Sequence, residues 1–189
     1  MTQSTDHALR ASRLKFLWVI IVFAAPIIAA ALLNVSGWQP TGNAYGEPIL
    51  PQRNFEQEHV QVRLADGTFW AWRDSSPRMT LVALVGPVCA ARCMDTLTKV
   101  AAARITLNNN MTRLRLLYVG QPPADAAASG MQNYWDLGTD VGGNLAAYRP
   151  SRPDSVSALL VESDGTVLTL YPDEFDPSGL RKDLQKVIR

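Results

Sequence analysis

The chain has two cysteines, and both lie in one short stretch, VGPVCAARCMDTL, at residues 85–97. Three residues separate Cys89 from Cys93. On a helix, residues four apart share a face with Cβ atoms about 5–6 Å apart, whereas the Cβ atoms of a disulfide are about 4 Å apart. A disulfide between them therefore needs a small local adjustment, which the first turn of a helix can supply.

Several kinds of chemistry fit this pair. A helix N-terminus favours a thiolate, and Arg92 adds a cation nearby, so a redox-active pair is one interpretation. Two thiolates also bind Cu(I), which prefers soft ligands. A local disulfide that constrains the unfolded chain only weakly, or two buried inert thiols, are the structural alternatives. The residues alone favour redox or metal chemistry without deciding between them.

The cysteines lie where a predicted strand meets a predicted helix. Residues 79–85 (MTLVALV) form an apolar run typical of a strand covered on both faces. Apolar residues at spacings of three and four predict a helix from about Ala90 to Leu107, and residues 113–119 (RLRLLYV) predict the next strand. Such a unit almost always has parallel strands and a right-handed crossover. The cysteines then lie at the carboxyl end of a strand, where open α/β sheets usually place their sites.

The flanking segments predict further strands. Residues 59–64 (HVQVRL) alternate and predict a strand, which a turn connects to a second short strand at residues 68–72 (TFWAW). Loops and a short helix near residues 131–137 are expected next. Residues 157–162 (SALLVE) and 167–171 (VLTLY) predict a hairpin.

The last predicted element is a helix. Asp176 followed by proline predicts its N-cap and first residue. Four apolar residues are expected on its buried face: Leu180, Leu184, Val187 and Ile188.

The N-terminal region predicts a membrane anchor. Residues 16–34 include an uncharged apolar run of 18 residues, near the minimum for a helix that crosses about 30 Å of hydrocarbon. Basic residues precede it, so residues 1–15 are predicted to be cytoplasmic and the residues after the span are predicted to be periplasmic. Residues 35–58, rich in Pro, Gly and Asn, predict a linker to a domain at residues 59–189. A cleaved signal peptide is the alternative, and it also predicts export.

Composition excludes several functions. The chain has 18 basic and 17 acidic residues, so no charge excess favours binding to nucleic acid. With one exported histidine predicted, a Ser/His/Asp hydrolase is disfavoured, and no glycine-rich phosphate loop is present.

The element order, with PVCAARC between strand and helix and the late hairpin ALLVESDGTV, resembles the Sco/SenC family of thioredoxin-fold copper proteins. The resemblance covers residues 59–188. It implies an α/β, thioredoxin-like domain with a central mixed sheet flanked by helices. It also implies that Cys89 and Cys93 form a CxxxC motif that either exchanges disulfides or binds copper, and that the protein serves the assembly of cytochrome c oxidase.

The histidine that completes the copper site of that family has no counterpart here. Alignment of the late hairpin puts Asp154 or Ser155 at its position, and the histidines of the chain are His7 and His59. The predicted topology makes His7 cytoplasmic, and a lone histidine at a strand edge such as His59 is typically a surface residue. Copper is therefore expected as a cofactor only with a third ligand of unknown identity.

A divergent, histidine-lacking group of anchored thioredoxin-like proteins, linked to oxidase biogenesis in proteobacteria, resembles the chain more in layout. It shares the motif Tyr45-Gly46-Glu47 in the linker. The resemblance implies an inner-membrane accessory protein whose partner is a cytochrome c oxidase subunit or an assembly factor. A non-catalytic module that only holds such a partner is the alternative function.

Specific roles are predicted for the two cysteines in exchange. Cys89 is expected to be the exposed, attacking thiol, and Cys93 is expected to resolve the mixed disulfide. Pro153 is the candidate for the proline that thioredoxin folds place opposite their cysteines.

Overall fold

The computed structural model describes residues 18, 21–29, 31–32, 44–123 and 130–188, which fall into two units divided between Asn43 and Ala44. The described residues of the first unit are helical. Within the described ranges, no helix combines the length and the apolar character needed to cross a membrane. The predicted anchor at residues 16–34 includes residues outside those ranges, and residues 1–15 lie wholly outside them, so both assignments stay predictions.

The second unit is built on one mixed sheet. Its strands are β1 (Glu47–Pro48), β2 (Val62–Leu64), β3 (Met79–Val85), β4 (Leu114–Val119), β5 (Asp136–Asp140), β6 (Val156–Val161) and β7 (Val167–Tyr171). Across the sheet they follow the order β1-β7-β6-β3-β4-β5-β2. The α-helices of the described part of this unit are α1 (Ala91–Ile105) and α2 (Pro177–Val187).

The central strand–helix–strand unit forms as the sequence predicts. β3 has the predicted bounds, and α1 occupies most of the predicted helical segment. β3 and β4 pair in parallel, with Met79 opposite Leu114, which confirms the predicted parallel pairing. β6 pairs antiparallel with the other edge of β3, with Val156 opposite Val85. The carboxyl end of β3 therefore lies in the middle of the sheet, beside the beginning of β6.

The two faces of the sheet are covered by different kinds of structure. Leu81 and Ala83 of β3 face one hydrophobic cluster, and Val82 and Leu84 face the other. Within the described residues, α1 and α2 both pack into the first cluster. Buried side chains from irregular segments complete the second cluster: Phe55, Val60, Trp70, Trp72 and Leu145.

Two predictions about the strands are wrong. Residues 136–140 (DLGTD) were expected in a helix and a loop, but they form β5, which pairs in parallel with β4 and antiparallel with β2. Their sequence lacks the apolar alternation of a strand. Backbone pairing with β4 on one side and β2 on the other holds these residues in a strand instead. The predicted strand at residues 68–72 reduces to one bridge, between Arg63 and Phe69. Packing of Trp70 and Trp72 into the second cluster decides the path of that segment.

The compact unit begins earlier than the predicted domain boundary. It includes residues 44–58, which fall within the predicted linker. The N–H groups of Tyr45 and Gly46 donate to Asp183 of α2 at 2.7 and 3.3 Å. Phe55 is fully buried, which contributes about 1.5–3 kcal/mol. These contacts are tertiary, so they leave no periodic pattern in a segment rich in Pro and Gly.

The hairpin of β6 and β7 and the final helix confirm their predictions. β6 and β7 pair antiparallel, and Asp176 caps α2. Leu180, Leu184 and Ile188 are buried as predicted, whereas Val187 is 47% exposed. Val187 lies at the end of α2, beside the edge of the face that the other three residues bury.

Candidate functional site

A short loop of residues 86–90 joins β3 to α1 and carries Cys89. It begins at Gly86, where a Cβ atom would lie 2.2 Å from the carbonyl oxygen of Arg152. The Gly86 N–H donates to the carbonyl oxygen of Ser155 at 3.0 Å. Glycine is required here because the two backbones approach too closely for a side chain.

Cys89 and Cys93 form a disulfide, and their Cα atoms are 5.2 Å apart, within the usual range for this bond. Cys93 lies in the first turn of α1 and is fully buried. Cys89 lies before the helix and is half-buried. Because Cys89 is outside the helix, its Cβ atom is not held at the helical spacing. It can therefore lie close enough to the Cβ atom of Cys93 for a disulfide. Cys89 is the more accessible of the two, and Cys93 is shielded.

A carboxylate from a distant loop accepts hydrogen bonds from the backbone N–H groups at the start of α1. Asp154 accepts hydrogen bonds from the backbone N–H groups of Ala90 (2.8 Å), Cys93 (2.9 Å) and Arg92 (3.1 Å). N–H groups at this end of a helix have no partner within the helix. Ala90 occupies the N-cap position, and its side chain cannot accept a hydrogen bond. Asp154 thus provides the cap that the local sequence lacks.

These contacts make Asp154 a stable anion. The hydrogen bond from the Cys93 N–H, together with those from Arg92 and Ala90, holds the pKa of Asp154 below its usual value despite partial desolvation. The Arg92 Nε atom lies 3.7 Å from the carboxylate, but this side chain is 71% exposed, so water screens the attraction. A negative charge therefore lies at the start of α1, beside the disulfide, at neutral pH.

The loop around Asp154 fixes the carboxylate in this position. The Asp154 N–H donates to the carbonyl oxygen of Val88 at 2.8 Å, and Ser155 Oγ donates to the carbonyl oxygen of Arg152 at 2.7 Å. The Arg152 side chain forms an ion pair with Asp173 at 2.7 Å. Asp154 has φ 55°, a left-handed conformation that Asp tolerates better than most residues. The loop after β3 and the loop before β6 are thereby joined around the disulfide.

Asp154 joins the site although the sequence predicted no role for it. Its one sequence signal was the alignment that placed Asp154 or Ser155 where Sco/SenC proteins have a histidine. Of these two, Asp154 contacts the backbone of Cys93, whereas the Ser155 hydroxyl turns to its own loop.

Of the remaining candidates, Pro153 lies in the loop that carries Asp154 and is exposed. The cis peptide bond found among the described residues is Leu50–Pro51. His59 is exposed in the segment before β2. His7 lies outside the described residues.

A small cavity lies beside Asp154, although neither cysteine lines it. It measures about 120 Å³, and its lining includes Arg92, Asp154, Glu174 and Phe175. A larger cavity of about 210 Å³ follows α1, and its lining contains neither a cysteine nor Asp154. Of these two cavities, the smaller, charged one is the one that Asp154 lines.

The donor atoms identified at the site are the two cysteine sulfurs and the Asp154 carboxylate. The part of the chain that the structure describes has no cluster of three or more His, Cys, Asp or Glu residues placed to hold a metal ion. Both oxygens of Asp154 accept backbone N–H groups, and Cu(I) prefers softer ligands than carboxylate. The residues present fit a dithiol–disulfide pair.

Residues 80–189 match the family described as "transmembrane-like, thioredoxin-like, C-terminal domain". The chain belongs to this family. The matched region of this thioredoxin-like protein contains most of β3, the disulfide, α1 and Asp154. No curated protein matches the chain.

Three of the solved structures that are similar to this chain have the following identity, coverage and TM-score. A thioredoxin-like protein from Porphyromonas gingivalis is 14% identical, with 68% of this chain and 89% of that chain covered and a TM-score of 0.51. The apo Sco1 protein from Thermus thermophilus is 16% identical, with 79% and 99% covered and a TM-score of 0.50. Copper-bound ScoI from Arabidopsis thaliana is 15% identical, with 76% and 97% covered and a TM-score of 0.49.

Identities this low show the fold alone. The predicted thioredoxin-like α/β fold is confirmed, and an Sco1 protein is among its structural neighbours. The resemblance to the divergent histidine-lacking group stays a prediction.

Proposed function

We propose that this thioredoxin-like domain performs thiol–disulfide exchange with Cys89 and Cys93 as its redox pair. The observation that carries the proposal is the disulfide at the carboxyl end of the central strand, with Cys89 half-buried and Cys93 fully buried. Exchange needs one sulfur that meets the partner and a second that closes the ring. The two cysteines differ in exposure in the way these roles require.

The exchange moves two electrons and is reversible. A partner thiolate attacks Cys89 Sγ, the bond between Cys89 and Cys93 breaks, and Cys93 leaves as a thiolate that takes up a proton. A second partner thiolate then attacks the partner's own sulfur in the mixed disulfide and releases Cys89. In total, a partner dithiol loses two electrons and two protons, and the cysteine pair gains them.

The proposed setting is the assembly of cytochrome c oxidase on the periplasmic side of the inner membrane. Residues 16–34 would form a single span with a cytoplasmic N-terminus, and the partner would be an oxidase subunit or an assembly factor. Support comes from the resemblance to Sco/SenC proteins and from the basic residues before the apolar segment. An exported compartment also permits a stable disulfide.

A trapping experiment tests the exchange. Cys93→Ser keeps the reachable thiol but cannot close the ring, so it should accumulate mixed disulfides with a partner, visible on a non-reducing gel and lost on reduction. The matched control, Cys89→Ser, keeps the buried thiol and should trap none. If folded Cys93→Ser traps no species with the partner present, the proposed roles are wrong.

Two competing functions give different results in further experiments. If the cysteines carry Cu(I) as cargo, the reduced full chain should bind it one-to-one against a chelator of known affinity, and Cys89→Ser/Cys93→Ser should not. The missing histidine favours the second competitor, a binding module without chemistry. Normal oxidase assembly in cells with the double variant would support that module, whereas lost assembly with an intact fold would support chemistry.

A further inference from the structure

The carboxylate of Asp154 occupies the place where a helix would otherwise stabilise a thiolate. Free N–H groups and the positive end of the helix dipole favour a thiolate at the start of a helix. In this domain those N–H groups, from Ala90, Arg92 and Cys93, already donate to Asp154 at 2.8–3.1 Å. An anion from the chain itself therefore takes the position that favours negative charge on sulfur.

We infer that Asp154 is a positioning residue that lowers the reduction potential of the Cys89–Cys93 pair, so that the domain acts as a reductant of partner disulfides. The inference rests on the proposed exchange function and adds its direction and its substrate class, a protein disulfide.

The physical reason is a difference between the two redox states. The disulfide is neutral, so Asp154 stabilises the start of α1 without electrostatic conflict. When the disulfide is reduced, each thiolate that forms brings a second negative charge beside the first. The reduced state is therefore destabilised relative to the disulfide, which makes the reduced pair a stronger electron donor.

Two backbone hydrogen bonds hold the carboxylate beside the cysteine loop. The Asp154 N–H is bonded to Val88, and the next residue is bonded to Gly86, so both sides of the carboxylate are tied to the cysteine loop. Arg92, the nearby cation, is 71% exposed and offsets the charge only in part.

The reaction in this direction is balanced. The Cys89 thiolate attacks one sulfur of the partner disulfide, the partner's S–S bond breaks, and the leaving thiolate takes up a proton. The Cys93 thiolate then attacks Cys89 Sγ, forms the intramolecular disulfide and releases the second partner sulfur, which is also protonated. Two electrons pass to the partner, and an external dithiol donor must reduce the pair again for the next cycle.

The test is the reduction potential of the purified full chain. Wild type and Asp154→Asn are equilibrated in buffers of defined thiol–disulfide ratio, and the disulfide fraction is measured by alkylation and mass spectrometry. Asn removes the charge, keeps one oxygen acceptor and tolerates the left-handed conformation. We expect Asp154→Asn to favour the reduced state about tenfold, a rise of about 30 mV for this two-electron couple.

A control variant and a second substitution sharpen the outcomes. Asp66→Asn removes the same charge from the turn after β2, where Asp66 accepts from the Thr68 N–H at 2.9 Å, and it should leave the potential unchanged. Asp154→Gly, which accepts positive φ without strain, should also raise the potential, and it replaces the Asn variant if that variant does not fold.

The possible failures are distinguishable. An Asp154 variant with the wild-type potential overturns the inference and leaves the exchange function intact. An equal rise in Asp66→Asn also overturns it, because net charge alone would then be the cause. A wild-type pair that never equilibrates with the thiol buffer overturns the exchange function itself.

Discussion

The α-helices α1 and α2 begin in different ways. α2 is capped by its own sequence, because Asp176 accepts from the N–H groups of Ser178 and Gly179 at 2.9 and 3.1 Å. Pro177 follows as the first helical residue, where its missing N–H removes no bond. All the information for this start lies within four consecutive residues.

α1 depends on a residue far away in the chain. Its cap is Asp154, which is 61 positions from Cys93 in sequence. A local cap only starts a helix, whereas a distant cap also joins the helix to another loop. The start of α1, and with it the disulfide, is therefore coupled to the loop before β6, whereas the cap of α2 comes from its own sequence.

The largest effect is expected from Gly86→Ala, which disrupts the contact between the loop after β3 and the loop that carries Asp154. The new Cβ atom would lie 2.2 Å from the carbonyl oxygen of Arg152 and push away the loop that carries Asp154. We expect a loss of about 3 kcal/mol in the free energy of unfolding, measured with urea. Gly142→Ala is the matched control, since its Cβ would meet only the flexible Asn144 side chain. Equal losses in the two variants would contradict the close approach.

Reduction of the disulfide should weaken α1 and spare α2. Opening the short loop between Cys89 and Cys93 costs about 2 kcal/mol in the chain-entropy relation. Hydrogen exchange of the amides of residues 92–94 should become faster on reduction, while that of residues 178–180 should change only with global stability. Equal acceleration of exchange at both helix starts would contradict the prediction that reduction weakens α1 and spares α2.

Removal of each cap compares the two helix starts. Asp176→Ala should cost about 1 kcal/mol. Asp154→Ala should cost more, because it removes three hydrogen bonds and leaves Ala at φ 55°. Asp154→Gly separates these causes, since glycine accepts this φ. Urea unfolding of the oxidised variants gives the order, and a greater cost for Asp176→Ala would contradict the dependence of α1 on its distant cap.

The cap of α1 should also depend on pH. The pKa of Asp154 is lower in the folded state than its unfolded value of about 3.9, because the Cys93 N–H and its neighbours stabilise the anion. The unfolded chain therefore binds the proton first as pH falls. The stabilisation by ionised Asp154 is complete above about pH 5 and is lost as pH falls through the folded pKa.

The difference in unfolding free energy between wild type and Asp154→Asn measures this contribution. It should be constant above about pH 5 and shrink in more acidic solution. A difference that stays constant down to pH 2 would show that the charge of Asp154 does not stabilise the fold.

The smallest effect is expected from a local contact on α1. Lys99 Nζ lies 2.6 Å from Asp95, but both side chains are 60% exposed. Lys99→Ala should cost only about 0.3–0.5 kcal/mol in urea unfolding, because water screens such a pair. A cost above that of Asp176→Ala would mean that local contacts do more for α1 than the comparison of caps suggests.

The strongest sequence patterns predicted the elements that form the centre of the domain. The apolar run of residues 79–85, the helical spacing after it and the hairpin at residues 157–171 each depend on local periodicity, and each element forms. β5 and the segment from Ala44 to Glu58 were missed, because pairing and burial against distant residues hold them. Their own sequences carry no period from which this could be derived.

The sequence by itself determined that Cys89 and Cys93 lie at a strand–helix junction, because their spacing and the flanking periodicities are local properties. Only the tertiary structure decided what surrounds them. The antiparallel register that sets Val156 opposite Val85 brings Asp154 to the start of α1. That register arises from burial of whole strands in one sheet, so the anion beside the disulfide exists only once the sheet has formed.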